Sequence, residues 1–395
     1  IEENKINSKY YTIPVQGGNA TLVEDYKSLL ADKNVSPDGK NLLFSKEIKV
    51  EKLLGKDLYP ELSKTTAQVY TGLDYRHWDT WNDGTHNHVF YSENKKDAVG
   101  IDIMPNEPFD APQKPFGGDE DFIWSPDGTK IIYVCKKKAG TAYATSTNTD
   151  LYEYDLATKT TKNLTEKNLG YDTAPQFSPK GDLTWLQMKR DGFEADKNDI
   201  IVRHRGVDIN LTAGWDGTVD SFTWSKDGKK VYFIAPIEGT KQLFEVNFPG
   251  LTRIAVRVTQ LTSGDFDVNA IVGFSGTAVL VTRNDMNHAP EVYSFDLAKK
   301  TWNQITKVNQ DTYAKINTCK TEKRWVTTTD GKKMLVWVIL PPNFDKTKKY
   351  PTLLYCQGGP QSALTQSYSF RWNFQLMASQ GYIIVAPNRR GMPGH

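Results

Sequence analysis

The sequence predicts an all-β propeller of about seven four-stranded blades over residues 1–320, followed by the N-terminal part of an α/β-hydrolase domain over residues 321–395. Three observations lead there. A Ser-Pro-Asp-Gly type of turn recurs at intervals of 44 to 53 residues. From position 125 onward, each copy is followed by a further strand and a Leu-Thr or Ile-Thr pair. After Thr318 the repeat stops, and strand, glycine-rich turn, helix and strand alternate.

The recurring unit begins at Ser36-Pro-Asp-Gly39, which leads into Asn41-Leu-Leu-Phe44. Later copies are Ser125-Pro-Asp-Gly128 before Ile131, Ser178-Pro-Lys-Gly181 before Leu183, and Ser225-Lys-Asp-Gly228 before Val231. A shortened copy lies at Ser275-Gly276, and a degenerate one at Trp81-Asn-Asp-Gly84. Proline presets the second position of a type I turn, Asp suits the third, and Gly allows the left-handed step that closes a hairpin. The closing pairs are Leu164-Thr165, Leu211-Thr212, Leu261-Thr262 and Ile305-Thr306. Four short strands per unit of 40–50 residues mark a propeller blade, and one blade alone cannot bury both faces. A propeller by itself specifies no activity.

Composition narrows the function classes. Lys and Arg number 49 against 47 Asp and Glu, without the basic excess of a nucleic-acid-binding protein. The longest apolar run, Met334 to Leu340, falls far short of the ~20 residues of a membrane helix. The first residues carry no signal-peptide pattern, and the absent initiator Met reads as a processed or trimmed front. Three cysteines (Cys135, Cys319 and Cys356) are too few for a disulfide framework and are expected to be buried thiols. His77, His86 and His88 cluster near Trp78 and Trp81. With no cysteine beside them, they are expected to pack and hydrogen-bond, not to hold a metal.

Beyond the repeat, Arg324 to Leu340 reads as a hairpin around Asp330-Gly331. Pro351 to Pro360 reads as a buried strand feeding a Gly-Gly-Pro turn, Phe370 to Ser379 as a helix, and Gly381 to Pro387 as a second strand. An α/β-hydrolase opens in this order, and its loop after the third strand supplies a backbone amide to the oxyanion hole. The amide of Gln357 or Gly358 is expected to face a substrate carbonyl. No Gly-x-Ser-x-Gly occurs in the chain, so the nucleophile is expected to lie beyond it.

Gln357-Gly-Gly-Pro360, Asn388-Arg-Arg-Gly391, Tyr75-Arg-His-Trp-Asp79, Lys114-Pro-Phe-Gly-Gly118, Gly170-Tyr-Asp-Thr173 and Met188 to Asp196 together resemble the prolyl oligopeptidase family of serine peptidases. The nearest branch is that of bacterial dipeptidyl and acylaminoacyl peptidases. Where the family has His or Tyr before Gly-Gly, this chain has Gln357. The resemblance implies an exopeptidase that releases dipeptides through an acyl-enzyme on serine, without a cofactor. It implies a Ser, Asp, His triad beyond residue 395, so that this segment alone is inactive. It further implies short peptides as substrates, export to the periplasm (a cytoplasmic site being the alternative), and a propeller restricting access to the cleft. A homodimer is compatible with it. The rival readings are an acylaminoacyl peptidase of the same family and a non-enzymatic propeller that binds a partner.

A dipeptidyl peptidase must recognise a cationic N-terminus, which calls for preorganised carboxylates. Glu194 and Asp196 lie in an irregular insertion after a blade strand, and Glu194 is the first choice. Glu120 and Asp220 each stand five residues before a turn serine, near the start of an innermost strand. Arg389 and Arg390 follow the fourth strand of the hydrolase sheet, where one of them is expected to meet a substrate carbonyl or a propeller carboxylate, with structural salt bridging as the alternative.

Overall fold

The computed structural model describes residues 9–23, 34–73, 75–252, 256–358 and 362–394. It is mostly β-sheet with few, short helices. Two compact units emerge: residues Ala31–Ala213, and residues Ile1–Leu30 together with Gly214–His395.

Among the described residues the first unit holds three sheets of three or four strands, besides the two-stranded pair Arg76–His77 and Thr80–Trp81. Sheet I joins Asn41–Lys49, Thr85–Glu93 and Ile101–Asp102. Sheet II joins Phe122–Trp124, Lys130–Cys135, Asp150–Asp155 and Thr160–Asn163 in an antiparallel meander. Sheet III does the same with Asp172–Phe177, Leu183–Gln187, Asp199–His204 and Val207–Asn210. Leu43 and Val89 of sheet I pack with Trp124, Ile131 and Tyr133 of sheet II. On the other face of sheet II, Ile132, Val134 and Leu151 meet Leu183, Trp185 and Ile201 of sheet III. The side chains alternate along its strands, so sheet II contributes to two cores.

The second unit continues with sheet IV (Ser221–Trp224, Lys230–Ile237, Thr240–Asn247, Val258–Gln260) and sheet V (Asp267–Ser275, Ala278–Asp285, His288–Asp296, Thr301–Gln304). Their shared core contains Ile234, Leu243, Val279, Val281 and Phe295. The hairpin Tyr10–Thr12 and Thr21–Val23 belongs to this unit, where Asn303 Nδ2 donates to the Val15 carbonyl at 3.3 Å.

At Lys320 the pattern changes. Sheet VI has the spatial order Lys320–Thr327, Lys333–Leu340, Ile383–Pro387, Thr352–Leu354. The last two strands are parallel and the other pairs antiparallel. One face presents Leu335, Trp337, Ile339 and Ile384 to Met286, Leu364 and Ala378. The connecting helix is Phe374–Ser379, shorter than expected, because Asn373 caps it by accepting the Leu376 N–H at 2.9 Å.

Two devices build the repeat. In the turns, the glycine amide closes on the serine carbonyl at 2.8 to 2.9 Å at Gly39, Gly128, Gly181 and Gly228, all with positive φ. The serine hydroxyls of Ser36, Ser125 and Ser225 also donate to Asp38, Asp127 and Asp227, and these bonds hold all three carboxyls below their usual range. In the closing pairs, the threonine hydroxyl accepts a backbone N–H of the third strand. Leu151 donates to Thr165, Ile200 to Thr212, Leu243 to Thr262 and Val292 to Thr306, at 2.8 to 3.1 Å. The same hydroxyl donates to the side chain one position earlier: Asp150, Asp199, Gln242 or Glu291.

One anchor behaves differently from the sequence expectation. Asn41–Lys49 and Thr85–Glu93, each led by its own anchor, are neighbours in one sheet. The turn near Trp81 heads no new sheet, because Thr80–Trp81 pairs back on Arg76–His77 and the Gly84 carbonyl accepts from Val50 and Glu51. The described residues therefore form five sheets of meander type where the repeat suggested about seven. Among them, no helix is long and apolar enough to cross a membrane.

Candidate functional site

The parallel pairing in sheet VI fixes the first part of the site. Thr352 stands opposite Ile383 and Leu354 opposite Val385, so both strands end at the same edge of the sheet. At that edge Gln357 and Gly358 follow the strand Thr352–Leu354, and Asn388, Arg389 and Arg390 follow the strand Ile383–Pro387. Tyr355 N–H still reaches the Val385 carbonyl at 2.8 Å. Gln357 is half-buried, while Gly358 is exposed with open space where a Cβ would project. Gly359 and Pro360 of the same loop lie outside the described residues. Cys356, expected to be a buried thiol, is instead exposed, because the preceding edge strand Thr352–Leu354 is itself exposed. Cys135 and Cys319 are buried. Arg390 pairs with Asp330 of the hairpin turn, and Arg389 is exposed beside the Arg390 carbonyl.

Downstream, residues 364–366 are buried and gripped from two sides. Asn388 and Trp337 of sheet VI bind Leu364: its N–H meets Asn388 Oδ1 at 2.8 Å, and its carbonyl receives Asn388 Nδ2 at 3.0 Å and Trp337 Nε1 at 3.1 Å. Sheet V binds the next two residues. Asp267 Oδ2 accepts the Thr365 hydroxyl at 2.6 Å, and its Oδ1 accepts Gln366 N–H at 3.2 Å and Lys241 N–H at 2.8 Å. Asn284 Nδ2 donates to the Gln366 carbonyl at 2.7 Å, and Met286 N–H to Gln366 Oε1 at 3.2 Å. Asp220 joins this chain through Lys241, whose ammonium lies 2.7 Å from it. Asp267 is only 1% exposed, and burial pushes its carboxyl up to about 6 against the pull of those donors.

Sequence reasoning missed Asp267 and its counterpart Asp172. The signal was present: Asp121, Asp172, Asp220 and Asp267 recur every 47 to 51 residues at or just before the first strand of sheets II to V. In sheet II the choice of Glu120 stands one residue away from the buried acid. Glu120 is exposed in the turn Asp119–Asp121, while Asp121 is buried and accepts Gln113 N–H at 3.0 Å. Burial and the neighbouring Glu120 push Asp121 up to about 6.

In the unit Ala31–Ala213, two family-like segments meet around the helix Gly140–Thr145. Tyr143 donates to the Lys114 carbonyl, and after the helix Ser146 and the Thr147 N–H donate to Asp191 at 2.6 and 2.9 Å. Gly192 N–H donates to Thr147 Oγ1. Asp196 is engaged by its own loop, accepting from the Lys189, Arg190 and Lys197 amides and from the Arg190 guanidinium at 2.7 Å. Those bonds, led by the guanidinium, lower it to about 2. Glu194 projects from the same loop, exposed and close enough to Tyr171 to help burial raise the phenol's pKa. His86 lies between Asp110 at 3.1 Å and Glu51 at 3.0 Å, and His88 between Asp102 at 2.9 Å and the Glu107 carbonyl. Both histidines thus serve as hydrogen-bonding groups of sheet I. Among the described residues no group of three His, Cys, Asp or Glu side chains could hold a metal ion.

No family model matches the chain. It is 43% identical over 365 residues to dipeptidyl-peptidase 5 of Porphyromonas gingivalis, covering 91% of this chain and 52% of that protein. It is 44% identical over 366 residues to dipeptidyl-peptidase 5 of Porphyromonas endodontalis, with the same coverage of each. The chain spans about half the length of these relatives. Among solved structures, an acylaminoacyl peptidase bound to Z-Gly-Gly-Phe-chloromethyl ketone superposes with a TM-score of 0.67 at 16% identity, covering 98% of this chain and 55% of that one. That likeness is one of fold.

Proposed function

We propose that this chain belongs to the prolyl oligopeptidase family and is part of a serine exopeptidase that releases dipeptides from the N-terminus of short peptides, a reading supported by its likeness to the dipeptidyl-peptidase 5 relatives. Sheets I to V are blades of a propeller over residues 1–320. Sheet VI opens an α/β-hydrolase domain over residues 321–395. The observation that carries this reading is the shared edge of sheet VI, from which the Gln357–Gly358 loop and the Asn388–Arg390 turn both leave parallel strands. In open α/β sheets, ligands bind outside the carboxyl ends of the strands.

In this reading a serine outside residues 1–395 attacks the second peptide carbonyl. A histidine takes its proton, and the backbone amide of Gln357 or Gly358 holds the oxygen that becomes negative. The histidine returns that proton to the amine of the third residue, which leaves, and water releases the dipeptide from the acyl-enzyme. The substrate's ammonium group is held by a propeller carboxylate, with Glu194 first and Asp196, Glu120 and Asp220 behind it. Arg389 or Arg390 steadies a substrate carbonyl. No cofactor enters these steps. Export to the periplasm accords with the bacterial relatives, and the propeller limits substrates to short peptides.

The test is a chromogenic substrate panel on the complete protein. Dipeptidyl substrates with a free amine should be cleaved, and acetylating that amine should abolish cleavage. Cleavage of the acetylated substrates alone would establish an acylaminoacyl peptidase. Hydrolysis of none would return the chain to the partner-binding class. Residues 1–395 alone are expected to be inactive, for they contain no Gly-x-Ser-x-Gly.

A further inference from the structure

Taking a carboxylate out of water costs several kcal/mol unless its oxygens are well satisfied, so a buried Asp is weak evidence of stability for its own sake. Asp267 is buried at the start of sheet V, and two of its three donors come from a segment about a hundred residues away in sequence. Those donors, the Thr365 hydroxyl and the Gln366 amide, lie on the return limb of the Gln357–Gly358 loop. Asn284 and Met286 of the same sheet fasten Gln366 further, while Asn388 and Trp337 fasten Leu364 from the sheet VI side. Three consecutive buried residues are thus held by two sheets at once. The arrangement has a cost of its own: Gln366 Nε2 is buried with no partner among the described residues.

We propose that Asp267 is a positioning residue: by binding Thr365 and Gln366 from sheet V, it fixes the return limb of the Gln357–Gly358 loop relative to the oxyanion-side edge of sheet VI. The inference rests on the reading above that this loop faces the substrate carbonyl. Asp267 touches no reacting atom. Its effect is geometric, and a misplacement of about 1 Å in such a site is enough to cost about a hundredfold in rate.

The test uses the complete protein with Asp267→Ala, Asp267→Asn and Thr365→Val. Asp267→Ala should lower kcat by about tenfold to a hundredfold and shift KM by less than about twofold. Asp267→Asn should restore kcat to within about threefold of wild type. Its Oδ1 still accepts from Lys241 and Gln366, and the Thr365 hydroxyl can turn to accept from its Nδ2. Thr365→Val, which removes a single hydroxyl, covers the case in which the alanine variant fails to fold. A second readout does not depend on activity. Hydrogen exchange in the peptide containing Leu364 to Gln366 should accelerate in Asp267→Ala and in Thr365→Val, and stay near wild type in Asp267→Asn. Unchanged exchange in both perturbed variants overturns the inference, as does an asparagine variant as impaired as the alanine one. Wild-type protein inactive on the whole substrate panel sinks the peptidase reading, while the exchange data still decide whether Asp267 holds the loop.

Discussion

Asn388 and Leu364 exchange two hydrogen bonds, the Leu364 N–H reaching Asn388 Oδ1 at 2.8 Å and Asn388 Nδ2 reaching the Leu364 carbonyl at 3.0 Å. Both residues are buried. One polar side chain thereby ties the turn after one parallel strand to the limb returning from the other. Asn388→Ala would leave the Leu364 amide without an acceptor, while the carbonyl would keep its bond from Trp337. A loss of about 1–3 kcal/mol in urea denaturation is expected. A change below about 0.5 kcal/mol, the ordinary effect of a surface substitution, would mean the exchange is not made in solution.

Gly239 sits at the turn between two strands of sheet IV with φ at +70°, and its carbonyl accepts Trp337 Nε1 at 3.1 Å. A Cβ there would fall 2.8 Å from both Leu335 Cδ2 and Trp337 Nε1. Gly239→Ala therefore combines backbone strain with displacement of the indole that also binds Leu364. A destabilisation of more than about 1 kcal/mol is expected, visible as a lower Tm. An unchanged Tm would show that the contact between Gly239 and sheet VI is slack.

Asp172 is fully buried, and burial pushes its carboxyl up to about 6, although Gln187, Asn168 and Trp185 all donate to it. An unfolded Asp titrates near pH 3.9. Between roughly pH 4 and 6 the folded chain therefore holds a proton that the unfolded chain has lost, and the contribution of Asp172 to stability falls as pH rises through that window. In Asp172→Asn this slope should vanish, at a lower overall stability because the new amide turns a donor toward donors. The difference between wild type and variant across urea titrations at several pH values isolates the term. A difference that does not change with pH would refute the raised pKa.

Much of the repeat was legible because its signals are local. The Ser-Pro-Asp-Gly turns form from neighbouring residues alone, so Gly39, Gly128 and Gly228 do what their sequence context demands. Thr165, Thr212 and Thr262 were visible as recurring marks. That each hydroxyl bridges a strand amide and a side chain on the third strand was not, since the pairing spans 12 to 20 residues. The degenerate anchor near Trp81 misled for the opposite reason: a turn motif states that the chain reverses, not which strand it then meets. Asp172 and Asp267 escaped because an acid's burial is a tertiary fact, and for the same reason the sequence pointed to the exposed Glu120 and not to the buried Asp121 beside it. Asn388 was recognised as part of a motif, yet its partner Leu364 is invisible without the fold.

In the peptidase reading Gln357 is the candidate side-chain donor of the oxyanion hole, and it is half-buried just beyond the parallel strand Thr352–Leu354. If its side chain assists the backbone amide, Gln357→Ala in the complete protein should reduce kcat by about a hundredfold with a smaller effect on KM. Unchanged turnover would leave oxyanion stabilisation to the main chain alone.

Glu194 and Asp196 share one loop and are expected to fail differently. Asp196 is committed to the Lys189, Arg190 and Lys197 amides and to the Arg190 guanidinium, so it shapes the loop. The loop is moored from the other side by Asp191, which accepts from Ser146 and the Thr147 amide. Glu194 projects from this braced frame and is exposed, and in the proposed reading it is the carboxylate that meets the substrate ammonium. Glu194→Gln preserves size and hydrogen bonding but removes the charge. It should raise KM for dipeptidyl substrates by about tenfold and leave kcat within about twofold. Asp196→Ala should raise KM as well, but with lowered Tm and faster hydrogen exchange across residues 188–197, because the frame itself is lost. If Glu194→Gln leaves KM unchanged while Asp196→Asn raises it with Tm and exchange intact, the ammonium contact belongs to Asp196 and the assignment to Glu194 is wrong.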